Sequence, residues 1–544
     1  MTSEATLDAT LKRTTLVEKQ RRGGRTGVAP PLGQYNAAIS IIPADLEVHP
    51  ATFKSDHRMS ANPVEISQQH LDVVAKERGL SRQLSERQVS MMAIGSAIGT
   101  GLFLGSALAV RTAGPGVIVS YILAAGIALL LMGCLSEMAV AHPTAGSFGV
   151  YAELYVSRWA GFAIRYTYWA AQSIAVGGEA VAAAIYTQWW FPNTPAWMWV
   201  ILYSAALIFI NARSVGAFGE FEYWFSMIKV SAIVVFIVLG IAILLGVHQQ
   251  RPIGLENFRS YGGLLPRGWT GVWLALAFVI FSFIGTEVVA VTAGEAKDPT
   301  RTVPRAMRTM LARLVIFYVG AIAILVGVIP WTQIQPGQSI TISPFVQVFE
   351  VMHIPAAAHV INFVVLTAAL SSMNCNLYLG TRMIFSLARS GYAPESLGHV
   401  SGRGTPMGAL WFSAAGLGVA VVMAFAFPAT AFVYMFGIAL FGGLSAWLLI
   451  FLTHLGFRRH WQERSHRPPL VVLPLFPWTT IAGALAVFAI IISTWWVPGM
   501  RVALEAGIPW LLLVTVLYYA WGRHNRGAVE LRVANRVRQE SAAD

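Results

Sequence analysis

Gly95-Ser96-Ala97-Ile98-Gly99-Thr100-Gly101 and Phe281-Ser282-Phe283-Ile284-Gly285-Thr286-Glu287 are the two stretches that decide how this chain folds. Each lies inside a long apolar run, and both contain Ile-Gly-Thr. Glycine weakens a helix by about 1 kcal/mol relative to alanine. Packed together, glycines let the backbone unwind and approach its neighbours closely. Matched interruptions of this kind, at the head of each of two five-span halves, predict discontinuous helices around a central site. The plainer reading, in which glycines merely let helices pack, suits Gly105 and Gly126 but not the cluster from Gly95 to Gly101.

The surroundings of these stretches set the solvent. Of the 544 residues 56% are hydrophobic and 12% charged, against roughly 25% charged in a soluble globular domain. Asp, Glu, Lys and Arg are missing from Thr112 to Ser136, Ala180 to Ala212, Gly268 to Thr286, Leu314 to Phe349 and Gly404 to Phe457. A helix needs about 20 apolar residues to cross a bilayer, and helices satisfy their own backbone groups in hydrocarbon. The runs are continuous rather than alternating, which argues against a transmembrane barrel. The chemistry points to an all-α polytopic membrane protein of about twelve transmembrane helices. Its spans are expected to begin near Met91, Gly116, Gly161, Ala196, Trp224, Trp269, Thr309, Ala357, Met407, Thr430, Leu475 and Val502.

The net charge of +12 could in principle suit nucleic acid, but its placement follows the membrane. With the N-terminus inside, the inner loops and C-terminal tail hold Lys297, Arg301, Arg305, Arg308, Arg313, Arg382, Arg389, Arg403, Arg458, Arg459, Arg464, Arg467 and Arg523 onward. The outer loops hold Arg111, Arg251, Arg259, Arg267 and Arg501. This is the positive-inside asymmetry, and it places both termini in the cytoplasm and the chain in the inner membrane. Residues 1–88 read as a cytoplasmic tail, mostly disordered, with a short surface helix over 71–88. Residues 89–524 read as the membrane domain and 525–544 as a second cytoplasmic tail. Two cysteines, Cys134 and Cys375, give neither a disulfide framework nor metal-ligand spacing, and no cofactor is expected. Trp189, Trp190, Trp197 and Trp199 read as an interfacial belt.

A broken span frees N–H and C=O groups that protein, water or ligand must satisfy. A zwitterionic amino acid offers both partners, a carboxylate for the N–H groups and an ammonium for the carbonyls. The dipole of a half-helix contributes roughly 0.3–1 kcal/mol, and each hydrogen bond to a charged group roughly 1.5–3 kcal/mol. Hydrogen bonds therefore dominate and the dipole sets orientation. Ionisable residues inside apolar runs cost about 2.5–3.5 kcal/mol each at a helix centre and are functional candidates by default. Glu179 is expected to contact a substrate or handle a proton, against the alternative of a structural hydrogen bond. Lys229 could snorkel to the membrane edge or point inward in place of a coupling cation. Glu287 is assigned a gating or substrate role. Glu137 reads as an interfacial or packing carboxylate. Asn374 and Asn376 read as links between helices, with substrate contact the sharper possibility for Asn374.

Further motifs carry a family resemblance: Ser96-Ala-Ile-Gly-Thr-Gly-Leu-Phe103, Ser136-Glu-Met-Ala with Pro143-Thr-Ala-Gly-Ser-Phe148, and Phe218-Gly-Glu-Phe-Glu-Tyr-Trp-Phe225 with Ile228-Lys229-Val230. With them stand Gly285-Thr-Glu287, Gly294-Glu-Ala-Lys-Asp-Pro299, Val303-Pro-Arg305, Thr381-Arg-Met383, Leu387-Ala388 and Ala393-Pro394. From about Ser85 to the last span, the chain resembles the amino acid transporter family of bacterial permeases, within the amino acid–polyamine–organocation superfamily. The resemblance implies a LeuT-type fold, two inverted five-helix repeats plus two helices, with broken first and sixth spans. It implies proton-coupled uptake of an amino acid, with the bilayer as surroundings, the proton as coupling ion and no enzymatic step. By the same resemblance, backbone groups of Ile98, Gly99, Thr100 and Gly101 would hold the carboxylate. Carbonyls around Phe281, Ser282 and Ile284 would hold the ammonium, with Phe283 as part of a gate. Lys229 would replace a sodium site, and Glu179 would stand near the substrate. The long N-terminal tail and the apolar run Tyr434 to Gly443 in the tenth span depart from the family pattern. A neutral amino acid is the expected substrate. An exchanger moving no net protons and an amino acid sensor of the same fold are the alternatives.

Overall fold

The structure, a computed structural model, describes residues 85–144, 146–212, 215–247, 252–295, 299–334, 342–402, 404–464 and 472–523. The N-terminal tail, most of the surface helix expected over 71–88, and the C-terminal tail lie outside the described residues. Residues Glu86 to Gln88 of that expected surface helix open the first membrane helix instead. Ser85 starts it as a capping box, its hydroxyl accepting from the Gln88 N–H while the Gln88 side chain accepts from the Ser85 backbone N–H.

Helices make up the fold, and no strand occurs among the described residues. The first broken element consists of α1 (Glu86–Ala97), α2 (Thr100–Phe103) and α3 (Gly105–Ala113). There follow α4 (Val117–Ala141), α5 (Ser147–Tyr155), α6 (Arg158–Gln188), α7 (Ala196–Asn211) and α8 (Val215–Leu244). The second broken element runs from α9 (Gly268–Val279) through a tight turn to α10 (Val288–Val291). Then come α11 (Pro299–Val328), α12 (Pro355–Arg389), α13 (Met407–Ser413), α14 (Ala415–Ala426), α15 (Ala431–Arg464), α16 (Trp478–Ser493) and α17 (Val502–Leu517).

Among the described residues, nine helices are long and apolar enough to cross a membrane. The remaining expected starting points, near Met91, Gly161 and Ala196, fall on the broken α1–α3, on α6 and on the shorter apolar α7. Helix α6, 31 residues long, is less apolar because polar residues such as Arg165, Gln172, Glu179 and Gln188 are spread along it. Large apolar side chains stand exposed on the outer faces, among them Val238 on α8, Val422 on α14, Phe488 on α16 and Leu512 on α17. A soluble monomer rarely shows so much apolar surface, whereas hydrocarbon accepts it without cost.

The core is built around α6, which packs against α12, α15 and α14. Helix α1 packs on α8 and α11, and α9 on α3 and α4. Small residues permit these close crossings. A Cβ at Gly416 would lie 2.1 Å from the Ser173 carbonyl oxygen of α6, so α14 could not approach α6 with any larger residue there.

Candidate functional site

The two breaks touch. At the first, Ile98 (φ −82°, ψ 90°) and Gly99 (φ −135°, ψ −156°) leave the helical region between α1 and α2. At the second, Ile284 is extended (φ −66°, ψ 136°) and Gly285 takes φ +105°. Ser96 Oγ donates to the Gly285 carbonyl at 2.9 Å. A Cβ on Gly285 would meet the Ser96 carbonyl oxygen at 2.9 Å, so glycine is demanded twice, by its dihedral angle and by the crossing. A Cβ on Gly101 would likewise lie 3.0 Å from Ser282 Cα. Tyr318 reaches over from α11 to both breaks, its hydroxyl lying 2.7 Å from the Ala97 carbonyl and 2.8 Å from the Ser282 carbonyl.

Beside this crossing lies a buried cavity of about 20 Å³, lined from the breaks by Gly99, Gly101, Phe281 and Ile284 and from α6 by Gln172 and Glu179. That is little more than the room of one water, so the walls are drawn together around the site. Of the residues named from the sequence, Gly99, Gly101, Phe281, Ile284 and Glu179 line it. Ile98, Thr100 and Ser282 are buried in the breaks beside it. Phe283 turns away from the cavity and packs on Tyr318 (ring centroids 5.0 Å apart) and Tyr121 (6.4 Å). Phe281 takes the place at the wall, 4.0 Å from the Phe436 ring of α15. The apolar run of the tenth span therefore places Ala439 on the lining and backs Phe281 with Phe436, without polar contacts to the cavity. Asn374 lies away from the lining; it donates to Glu222 at 2.6 Å and accepts from Asn211 of α7. Asn376 faces the cavity instead.

The buried ionisable groups each find partners. Lys229 is fully buried on α8 and donates to the Gly95 carbonyl at the head of the first break, so it points inward rather than snorkelling. Glu222, seven residues earlier, accepts from Ser371 Oγ (2.6 Å) and Asn374 Nδ2 (2.6 Å) of α12. Glu179 Oε1 accepts from Ser372 Oγ at 2.8 Å, and a Cβ on Gly99 would come 3.1 Å from that same oxygen. Glu287 accepts from Tyr168 Oη (2.7 Å), the Gly285 N–H (3.0 Å) and Trp447 Nε1 (3.4 Å). Its carboxylate thereby closes the turn of the second break. Glu137 sits at the far end of α4 between His454 and Arg458 of α15 and the Leu473 N–H, in the packing role read from the sequence. Among the described residues no group of His, Cys, Asp and Glu could hold a metal ion.

A freed carbonyl crowned by a buried lysine, set against two touching helix breaks, is a geometry that comparison with known proteins can place. The amino acid permease family model matches residues 88–529. The chain belongs to the amino acid permease family. This permease is 37% identical over 455 residues to the uncharacterized amino acid permease YtnA of Bacillus subtilis, which covers 83% of this chain and 97% of that protein. It is 37% identical over 467 residues to the gamma-aminobutyric acid permease of the same organism, 85% of this chain and 98% of that protein. It is also 37% identical over 441 residues to the aromatic amino acid transport protein AroP of Escherichia coli K12, 81% of this chain and 95% of that protein.

Sequence reasoning missed several residues of this permease's site. Tyr318, Gln172, Ser372 and Phe436 carry no signal in a chain this rich in hydroxyls and aromatics, because only tertiary folding brings them to the breaks. Glu222 did carry one. A carboxylate seven residues before Lys229 in an apolar helix has the same cost of burial and should have been read as a candidate with it.

Proposed function

We propose that this permease is a secondary active transporter that takes up a neutral amino acid together with a proton by alternating access. The bilayer is the inner membrane, with both termini in the cytoplasm, and the spans form a twelve-helix LeuT-type arrangement of two inverted repeats. The observation that carries the reading is the Lys229 ammonium fixed on the Gly95 carbonyl. A monovalent cation is thereby built into the hinge of the first break, where a transporter coupled to a metal cation would need the position open. Loss of a proton from Lys229 removes that charge and weakens its hold on the carbonyl, a neutral amine being the poorer donor, so protonation and the geometry of the break are coupled through one hydrogen bond. Glu222 and Glu179 supply negative charge on the two helices around it.

The amino acid's carboxylate would lie on the N–H groups around Gly99 to Gly101. Its ammonium would lie by the carbonyls around Phe281, Ser282 and Ile284, where the single Tyr318 hydroxyl proton is shared between Ala97 and Ser282 and leaves acceptor capacity. Glu179, whose Oε2 has no hydrogen-bond partner, would add a charged contact to it. Glu179 is the ionisable side chain of the cavity wall, and pairing it with the ammonium leaves no counter-charge for a charged side chain. That favours a neutral substrate. Phe281, rather than Phe283, is positioned to act as the aromatic gate, and Glu287 acts by holding the turn that places it.

The test is uptake by purified protein in liposomes, with and without an inward proton gradient, for the wild type and Lys229→Met. Gradient-stimulated uptake in the wild type, reduced at least about tenfold in the variant, is the expected result. Uptake that depends on internal amino acid and ignores the gradient would make the protein an exchanger and Lys229 a structural lysine.

A further inference from the structure

Asn374 and Asn376 stand two residues apart on α12, and the fold gives them opposite tasks. Residues at that spacing do not share a helix face. Asn374 turns to α8 and α7, where both ends of its amide are engaged, with Glu222 and with Asn211. Asn376 lines the cavity. It is 7% exposed, yet its Oδ1 and Nδ2 find no hydrogen-bond partner among the described residues, and neither atom is sealed from the cavity. With both ends open, the amide offers an acceptor and a donor whichever way it is turned.

Other polar side chains of the lining are committed or closed off. Ser96 donates to the Gly285 carbonyl and Ser372 to Glu179, while the Gln172 Oε1 is buried out of reach. Asn376 follows Ser372 by one turn on the same face of α12, about 6 Å further along the axis. An ammonium in contact with Glu179 therefore leaves Asn376 to the substrate's side chain. The closed cavity has the room of about one water, and a water can serve the amide between substrates. A side chain that displaces this water must replace its hydrogen bonds, because an unpaired buried amide is costly.

We propose that Asn376 is a specificity-determining residue, its open amide exchanging hydrogen bonds with the substrate's side chain, so that the preferred substrates are amino acids with a short uncharged side chain bearing a hydroxyl or a carboxamide. This rests on the amino acid reading above and deepens it. Both groups carry a donor and an acceptor, as the amide does. A hydroxyl on the β-carbon stands about 3 Å from the α-nitrogen, counting bonds of about 1.5 Å. A hydrogen bond of about 2.8 Å then spans the rest of the one turn between Ser372 and Asn376. The methyl groups of Ala171, Ala175 and Ala439 complete the lining there and supply no hydrogen bond of their own. An aliphatic side chain would expel the water and leave the amide unpaired, and a site built for a polar group rejects the analogue that lacks it.

The decisive experiment measures binding to the purified protein in detergent, so that its outcome does not depend on transport. The ligands are two pairs of nearly equal shape, threonine with valine and asparagine with leucine. The wild type should bind the polar member of each pair at least about tenfold more tightly. In Asn376→Leu, a change of similar volume, the difference should fall below about twofold. The melting temperature of that variant should not drop, since the amide it removes is bonded to no other part of the protein. Equal binding within both pairs by the wild type overturns the proposal without recourse to any variant. So does an unchanged difference in Asn376→Leu, and a preference lost together with melting temperature would make the amide structural. Tighter binding of aromatic than of hydroxyl-bearing amino acids also overturns it, and leaves the amino acid reading standing. The expected preference in a protein that moves no amino acid in liposomes would retain Asn376 and refute the transport reading.

Discussion

Two sets of buried carboxylates divide this permease. At the helix ends that the charge asymmetry assigns to the cytoplasm, each carboxylate is paired with arginine: Glu153 with Arg165, Glu295 with Arg382 at 2.7 Å, and Glu137 with Arg458 at 2.8 Å. Around the breaks the partners are neutral. Glu179 meets Ser372, Glu222 meets Ser371 and Asn374, and Glu287 meets Tyr168, Trp447 and a backbone N–H. Arginine does not titrate in proteins, so the first set is a permanent staple. The second set has neutral hydrogen-bond partners, with Lys229 as a nearby cation for Glu222 and Glu179, and its members can gain or lose a charge or a ligand without breaking a direct ion pair. One protein thus uses one residue type for fastening and for response, and the partner decides which.

The contrast makes graded predictions. The largest effect on stability should follow Arg382→Ala, which leaves Glu295 buried and alone and should cost about 3–5 kcal/mol. Thermal unfolding in detergent reads it, and the double variant Arg382→Ala with Glu295→Ala should recover part of the loss. A melting temperature unmoved by the single change would erase the distinction between the two sets. Next stands Gly285→Ala, where φ +105° and the 2.9 Å approach to the Ser96 carbonyl both resist a Cβ. Strain of about 1–3 kcal/mol is expected, with uptake falling further than stability because the second break is displaced.

Tyr318→Phe should cost about 1 kcal/mol in stability, since water entering the cavity can serve the Ala97 and Ser282 carbonyls. Its mark should be a raised KM for uptake, the breaks being less tightly held. If KM and melting temperature both stay at the wild-type values, the phenol is not the clasp between the breaks. The smallest change in stability, under about 1 kcal/mol, is expected for Glu222→Gln, because an amide can still accept from Asn374 and engage Ser371. Its effect should appear instead in the pH dependence of uptake, through the charge it withdraws from beside Lys229. A loss of stability as large as that of Arg382→Ala would show Glu222 to be a fastening residue after all.

Much of this was legible in the residue order. The Gly95–Gly101 and Phe281–Glu287 stretches announced the breaks, because glycine clusters in apolar runs have few other uses, while the residues around Lys229 left its direction open and only the family resemblance implied that it points inward. What could not be read was which carbonyls remained free. The reading named the carbonyls around Phe281, Ser282 and Ile284, and the structure adds that Tyr318 donates toward the Ser282 carbonyl and Ser96 to that of Gly285. Phe283 was expected beside the pocket, but the structure sets Phe281 on the cavity wall and packs Phe283 against Tyr318. An offset of two residues in a tight turn redirects a side chain, and no pattern of hydrophobicity records it.

The sequence by itself determined the solvent, the helical class, the place of the breaks and the family, because these follow from composition, the length of apolar runs and local backbone preference. Only the tertiary structure decided the partners: that Glu287 holds a turn and that Asn374 serves Glu222 rather than the cavity. Hydrogen-bond partners across hundreds of residues are set by how helices cross, and a crossing depends on every small and large side chain along the contact at once.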